Sequence, residues 1–255
     1  MIALVRPPGP RLADGIVTHR ERLPVDVPLA HAQHRAYVQA LRDHGWEIVE
    51  VPEARELPDA VFVEDTVVIW EDLAVLTRPG APERRPEVAG TASVAATLGL
   101  ETAIIEPPGT LDGGDVLQVD HPAGSVVYVG RSGRTNDSGI AQLGELLRSR
   151  SRTVVPVDVR GALHLKSAVT ALPDGTLVGH PDHVESPDLP EPIVPPEESG
   201  AHVVVLDATT VLMAASAPRS AARLEERGLR VVRVDIGEFE KLEGSVTCLS
   251  VLVRS

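Results

Sequence analysis

AVFVEDTVVIWEDLAVLTRPGAPERRPEVAGTASVAATLGLETAIIEPP, residues 60–108, holds one complete round of secondary structure and decides the fold. AVFVEDTVVIW and LAVLTRP read as two short apolar strands. Val88, Ala92, Ala95 and Leu98 then mark a helix that stops at Gly99, and ETAIIEPP follows as a strand. The round is hairpin, helix, strand.

The same order recurs on both sides. Upstream, residues 28–44 place Ala30, Tyr37, Val38 and Leu41 on one helical face, Gly45 ends it, and WEIVEVP (46–52) is the strand. Downstream, DVLQV and SVVYVG open a round whose helix starts at Asn136/Asp137 and presents Ile140, Leu143 and Leu147, before the strand TVVPVDV. The next round begins with SAVTALPDGTLVGHP, where Asp174-Gly175 signals a hairpin turn. HVESPDLPEPIVPPEESG stands where its helix belongs, so the segment 181–200 is too proline-rich to be a normal helix, and VVVLD resumes the strand. TTVLMAA, a helix from near Pro218 to Gly228, LRVVRVD and a helical turn around Phe239 make the fifth round. SVTCLSVLV (245–253) is a final strand that the opening MIALVRP can pair with. Five such units predict an α/β ring closing on itself, as propellers do, in a single domain over residues 1–255.

Composition narrows the function. Two Phe, two Trp and two Tyr must serve 255 residues, so the core is Val, Leu, Ile and Ala. So few aromatics argue against base-stacking surfaces, and a net charge of -13 against a phosphate-backbone binder. No nucleic-acid partner is expected. One cysteine, Cys248, excludes an internal disulfide and a multi-cysteine zinc site. The apolar start of MIALVRPPGP ends at Arg6, and no apolar run approaches the roughly 18 residues of a membrane span. A soluble, cytoplasmic protein without membrane contact is expected.

Several residues can carry chemistry. Cys248 in an apolar strand pattern reads either as a small buried hydrophobe or as a thiolate nucleophile needing an acid/base partner. His164, in RGALHLKSAV, stands apart from the other histidines by its small, apolar flanks. The pair His31 and His34 lacks an acidic partner at helical spacing, so no metal is expected there. Glu64 and Asp65 lie side by side in a strand-like run, with Asp59 just upstream. Adjacent strand residues face opposite ways, so at least one carboxylate should point inward and need a cation. That cation is an arginine of the chain or a bound guanidinium. TLDGGDV adds Asp112 and Asp115 around Gly113-Gly114, a tight turn that also permits close approach to the backbone. Arg84 and Arg85, with Arg131 and Arg134, are surface residues or a grip for a substrate carboxylate.

Together these stretches resemble dimethylarginine dimethylaminohydrolase, of the guanidine-modifying superfamily with the pentein fold, an α/β-propeller of five ββαβ-type units around a central channel. PDAVFVEDTVVI, LTRPGAPERRPEV, TLDGGDVL, GRSGRTN, LHLKS and LEGSVTCLSVL match in order between residues 58 and 252. The resemblance implies Cys248 as nucleophile, His164 as acid/base and Asp112 as third member of the triad. It assigns Asp59, Glu64 and Asp65 to the cationic end or amino group of the substrate, Arg84 and Arg134 to its carboxylate, and Val17 to a lid contact. Two features depart from the family: the proline-rich segment 181–200 replaces a crossover helix, and Cys248 is followed by Leu249 where some relatives carry a second cysteine.

The implied reaction is hydrolysis of methylated arginine to citrulline and an amine through a covalent thiouronium on Cys248. It needs a small cationic substrate and no cofactor or metal, and it suits a monomer or a homodimer. The same triad would serve an arginine deiminase or an amidinotransferase, although family deiminases typically carry an inserted helical domain for which this chain has no room. A non-catalytic pentein, such as the ribosome anti-association initiation factor, would lack the Cys–His–carboxylate set. A papain-like protease would place its cysteine before its histidine, the reverse of the order here.

Overall fold

Four of the five rounds become small sheets in which the middle strand pairs antiparallel with one neighbour and parallel with a helix-linked other, and the fourth in chain order is a two-stranded hairpin. In the computed structural model, which describes residues 1–121 and 124–254, β1 (Ile2–Val5) is followed by α1 (Val27–Asp43) and the parallel β2 (Glu47–Glu50). β3 (Val67–Trp70) pairs antiparallel with β4 (Leu73–Leu76), and α2 (Val88–Thr97) crosses to the parallel β5 (Glu101–Ile104). The strands β6 (Val116–His121) and β7 (Gly124–Arg131), the helix α3 (Asp137–Arg148) and β8 (Thr153–Val159) repeat that order. A single turn, α4 (Leu165–Ala168), precedes the hairpin of β9 (Val169–Ala171) and β10 (Leu177–Gly179). β11 (Val184–Glu185) adds to β8, and β12 (Val204–Asp207), β13 (Thr210–Ala214), α5 (Pro218–Glu226) and β14 (Arg230–Val234) form the next sheet. After α6 (Gly237–Glu240), β15 (Val251–Val253) pairs antiparallel with β1, so the two ends of the chain close one sheet. Ser255 lies outside the described residues.

Local chemistry explains the elements. Asp26 caps α1 by accepting the Leu29 N–H at 2.9 Å, and Pro28 sits in the first turn where its missing donor is harmless. Ala30, His34, Tyr37, Val38 and Leu41 form the buried stripe. Gly45 at φ +80° and Gly99 at φ +71° end α1 and α2 in the left-handed conformation the sequence pattern predicts. Asn136 caps α3 by accepting the Gly139 N–H at 2.9 Å. β3 and β4 are buried on both faces, which is why their runs are apolar without alternation.

The inner strands surround a channel of about 300 Å³. Residues of β3, β6, β9, β12 and β15, one strand from each of five sheets, line it. The turns that lead into these strands gather at one end. Val63–Thr66 precedes β3, Gly113–Asp115 precedes β6, α4 precedes β9 and Thr247–Leu249 precedes β15. The candidate site is built there.

The structure corrects three readings. AVFVEDTVVIW is a strand only from Val67, because Val63–Thr66 closes a 3₁₀ turn in which Thr66 Oγ1 donates to the Val63 carbonyl at 2.7 Å. Glu64 and Asp65 are therefore both buried, where strand alternation would send one outward. SVTCLSVLV likewise begins with a 3₁₀ turn at Thr247–Leu249, closed by the Cys248 N–H on the Ser245 carbonyl at 3.2 Å. His164 stands just ahead of the β9–β10 hairpin, as the sequence leads one to expect, and is the N-cap residue of α4. VVVLD does not finish the fourth round; it is β12, antiparallel to β13 in the next sheet. In its place a single parallel bridge joins Ile193 to Val178, since the prolines around Ile193 lack the N–H groups a longer ladder needs.

Candidate active site

A small cavity of about 20 Å³ is lined by Asp59, Asp65, Arg84, Arg134, His164 and Cys248, among others. Residues from five separate segments thus converge. Behind His164, whose Nε2 donates to Asp112 Oδ2 at 3.0 Å, the Asp112 carboxylate is fully buried and also accepts the Gly80 N–H at 2.8 Å. Asp112 is fixed through its own N–H as well, which donates to Thr135 Oγ1 at 3.1 Å. Nδ1 of His164 is left on the side of Asp65, 3.9 Å from Oδ1.

The glycine pair makes this approach possible. A Cβ on Gly114 would lie 2.6 Å from His164 Nδ1 and 2.7 Å from Asp65 Oδ1, and one on Gly113 would lie 2.0 Å from the Glu64 carbonyl oxygen. Neither position tolerates a side chain. The Gly114 N–H instead donates to Asp65 Oδ1 at 2.9 Å.

Charge is arranged in layers. Burial alone would lower the His164 pKa, but Asp65, the hydrogen bond to Asp112 and the charge of Asp115 raise it to about 9, so the ring is an imidazolium at neutral pH. Burial would raise Asp65, yet His164, Arg84 and the Gly114 N–H hold it down at about 2. Cys248 is pushed up to about 12 by burial and by the negative charges of Glu64 and Asp65, against the Ser245 N–H and hydroxyl, each 3.4 Å from Sγ. The resting pair is thiol and imidazolium.

The remaining expected residues are placed as follows. Both oxygens of Asp59 face the Ile16 N–H, at 3.0 and 3.2 Å, and burial raises its pKa. Glu64 lies on the channel side rather than on the small cavity; its Oε1 accepts Lys166 Nζ at 2.6 Å and its Oε2 has no hydrogen-bond partner among the described residues. Burial raises the Glu64 pKa against the pull of Lys166. Arg84 is committed inward: Nη1 donates to Asp65 at 2.5 Å, Nε and Nη2 to Glu87, and Nη2 also to the carbonyls of Asp59 and Phe62. Arg134 is the freer of the two arginines, its guanidinium 3.8 Å from Asp112 and 12% exposed. Val17 packs on the core, while its neighbour Ile16 lines the cavity.

Sequence reasoning missed Lys166, Glu87, Thr135 and Glu243. Lys166 stands two residues after His164 but nothing local marks its partner, which is 102 residues away in sequence. Glu243 lines the cavity and accepts backbone N–H groups of Thr18, His19 and Arg20, pinning the loop whose Ile16 lines the same cavity. Among the described residues, Asp65, Asp112 and His164 bring donor atoms within 4.8 Å of one another, close enough to share an ion. Each of the four carboxylate oxygens already accepts a hydrogen bond from the imidazolium, Arg84 or a backbone N–H, so the grouping is a hydrogen-bonded charge cluster. No helix is long and apolar enough to cross a membrane among the described residues.

Known proteins share this arrangement of the chain. Residues 25–171 match the family model described as N,N dimethylarginine dimethylhydrolase, eukaryotic. The chain is 55% identical over 253 residues to an N(G),N(G)-dimethylarginine dimethylaminohydrolase of Streptomyces coelicolor, covering 99% of this chain and 96% of that one. A crystal structure of a dimethylarginine dimethylaminohydrolase adduct with S-methyl-L-thiocitrulline superposes with a TM-score of 0.90 at 30% identity, covering 98% of each chain. A serine-for-cysteine variant of the Pseudomonas aeruginosa enzyme complexed with citrulline gives 0.87 at 30% identity, over 98% of this chain and 97% of that one. With the matching fold, the ordered motifs and relatives that span its whole length, this chain belongs to the dimethylarginine dimethylaminohydrolase family of the pentein superfamily.

Proposed function

We propose that this protein hydrolyses Nω-methylated arginine, asymmetric dimethylarginine or monomethylarginine, to citrulline and di- or monomethylamine. The observation that carries the reading is the convergence of Cys248, His164 and buried carboxylates on one small cavity. A guanidinium is a planar cation whose N–H groups suit the carboxylates of Asp59 and Asp65, with the charge of Glu64 acting from the channel side, while Arg134, with the remaining donor of Arg84, holds the substrate carboxylate. The Ile16–Val17 edge of the pinned loop covers the amino end.

Substrate charge starts the chemistry. A thiol held near 12 is poorly ionised, and a guanidinium beside it stabilises the thiolate as its proton leaves to water. Sγ attacks the guanidinium carbon, forming the C–S bond. His164, already protonated, gives its proton to the methylated nitrogen as the C–N bond breaks, leaving a thiouronium. Neutral His164 then takes a proton from water and hydroxide adds to the same carbon; the adduct expels Sγ as the C–S bond breaks and its hydroxyl proton passes to the departing sulfur, which releases citrulline and restores the Cys248 thiol. Asp112 holds the imidazole in register throughout.

The whole chain acts as one catalytic domain, and every residue invoked comes from a single copy, so the reaction is open to a monomer or a homodimer. A reactive lone thiol calls for a reducing compartment such as the cytoplasm. Product analysis with asymmetric dimethylarginine, monomethylarginine and arginine side by side tests the assignment. Citrulline should form with release of the methylated amine, and Cys248→Ser should bind substrate without turning it over. Faster turnover of plain arginine would move the chain to the deiminase reaction instead.

A further inference from the structure

The carboxylate of Asp115 sits one turn past Asp112, takes no part in the steps above, and is fully buried. Its two oxygens reach two different parts of the site. Oδ1 accepts the N–H of Leu165, the residue that follows His164, at 2.8 Å. Oδ2 accepts the Ser132 hydroxyl at 2.6 Å. Ser132 Oγ in turn accepts the N–H groups of Arg134 at 3.0 Å and Thr135 at 3.2 Å, which shapes the loop that presents the Arg134 guanidinium. Thr135 returns the connection to Asp112, whose N–H it accepts. Room for this carboxylate is reserved by Gly130, where a Cβ would fall 2.4 Å from Asp115 Oδ1.

We propose that Asp115 is a positioning residue that sets, with one carboxylate, both the peptide carrying the acid/base His164 and the loop carrying the carboxylate-binding Arg134. Registration of the two matters because the substrate spans them: its guanidinium carbon must meet His164 while its carboxylate meets Arg134. A rigid bridge between the two ends fixes that span before substrate arrives. The bridge also adds charge. His164 is faced by Asp65 and Glu64 from the turn before β3, by Asp112 and Asp115 from the turn before β6, and by Arg84 behind Asp65, with Arg134 near Asp112 and Lys166 on its own helix. Burial raises the Asp115 pKa to about 6, so at pH 7.5 and above it is an anion that favours the imidazolium.

This inference rests on the roles given to His164 and Arg134 under the proposed function. The test uses Asp115→Asn and Ser132→Ala in the full chain. Asparagine keeps an acceptor for the Leu165 N–H but turns a donor toward Ser132 Oγ, which already accepts two N–H groups; Ser132→Ala cuts only the arm to Arg134. The His164 titration is followed by NMR, its resonance identified by its loss in His164→Gln, alongside steady-state kinetics with asymmetric dimethylarginine. Asp115→Asn should lower the His164 midpoint by about one pH unit, a roughly tenfold loss of proton affinity, and raise KM about tenfold. Ser132→Ala should raise KM by a similar factor with the midpoint unmoved, and the double variant should add nothing further to KM. An unmoved midpoint in Asp115→Asn, or an unchanged KM in Ser132→Ala, overturns the proposal. If Asp115→Asn does not fold, the Ser132→Ala result alone decides the arm to Arg134. A wild-type chain that leaves dimethylarginine untouched would sink the proposed function, whereas the imidazole midpoint would still report on Asp115.

Discussion

Alkylation of Cys248 should depend steeply on the charge of the reagent. The thiol is held near 12 by burial and by Glu64 and Asp65. At pH 7.5 roughly one such thiol in 30,000 is ionised, against about one in ten for an ordinary cysteine. The scarcer thiolate is the better nucleophile, which returns roughly a factor of 40, so iodoacetamide should react about 100-fold more slowly than with a free thiol. A cation about 4 Å from Sγ contributes about 4 kcal/mol at an effective dielectric near 20, or about three pH units of thiol acidity. After the same correction for nucleophilicity, a haloacetamidine should gain roughly 50-fold over iodoacetamide relative to their ratio on a free thiol. Inactivation rates with both reagents across pH 6–10, with and without dimethylarginine, measure this directly. Cys248 is the only thiol, so every covalent adduct has one address. The iodoacetamide rate should keep rising with pH past 9, and dimethylarginine should protect. A plateau near 8.5 with both reagents, or equal corrected rates, would refute the picture of a protonated resting thiol ionised by substrate charge.

The two arginines should separate in their effects. Arg134→Ala should raise KM for dimethylarginine by about 10- to 100-fold with a normal melting temperature, because a charge-assisted contact is lost at a partly exposed site. Arg84→Ala strands Asp65 and Glu87 as buried carboxylates and should cost about 3–5 kcal/mol, read as a fall in Tm of about 10 °C. His34 is buried with Nε2 unpartnered and has its pKa lowered to about 4, chiefly by burial. The unfolded chain binds that proton near pH 6.5 while the folded one resists until about 4, so stability should drop by up to about 3 kcal/mol as pH falls through that window; urea titrations at pH 7 and 4.5 should show it, and His34→Leu should flatten it. Glu243→Ala should speed hydrogen exchange at the amides of Thr18, His19 and Arg20 by at least about tenfold and raise KM; unchanged exchange would exclude Glu243 as the latch of that loop.

Much of the fold is legible because its signals are local. The stripe from Ala30 to Leu41 needs no knowledge of the rest of the chain to be read as a helix, and Gly45 and Gly99 stop their helices for a reason internal to the backbone. Reading fails where polar residues interrupt an apolar run. Glu64, Asp65 and Thr66 stand in a stretch otherwise indistinguishable from a strand, and only the 3₁₀ bonds, the buried Arg84 and the half-buried Lys166 explain how two adjacent carboxylates turn inward together. Cys248 is hidden by the same ambiguity, since TCL is as good a strand as a turn until Ser245 is seen to hold both its N–H and its sulfur. Partners far apart in sequence carry no local trace: Lys166 finds Glu64, and Glu243 finds the loop at Thr18, only because the ring closes.

That ring also explains why such residues can share a site at all. The inner strand β3 is apolar on both faces, so it has no place for a charged group. The turn that enters it has free backbone donors and no ladder to satisfy, and there a carboxylate can be buried with partners: Asp65 on the Gly114 N–H, Asp112 on that of Gly80, Asp115 on that of Leu165. Repeating the unit around a channel sets several such turns side by side at one end. Asp65 and Glu87 are then matched by Arg84, Glu64 by Lys166 and Asp112 by His164, while Asp115 is held by the Ser132 hydroxyl and the Leu165 N–H, so that each is hydrogen-bonded in a desolvated place. Among the described residues Glu64 Oε2 finds no hydrogen-bond partner, and burial together with the negative charge of Glu64 and Asp65 suppresses the acidity of Cys248. A guanidinium supplies the positive charge the cluster lacks, and its arrival relieves the carboxylates and ionises the thiol in one step. The resting site is therefore set against its own nucleophile, and substrate charge is the condition for its reactivity.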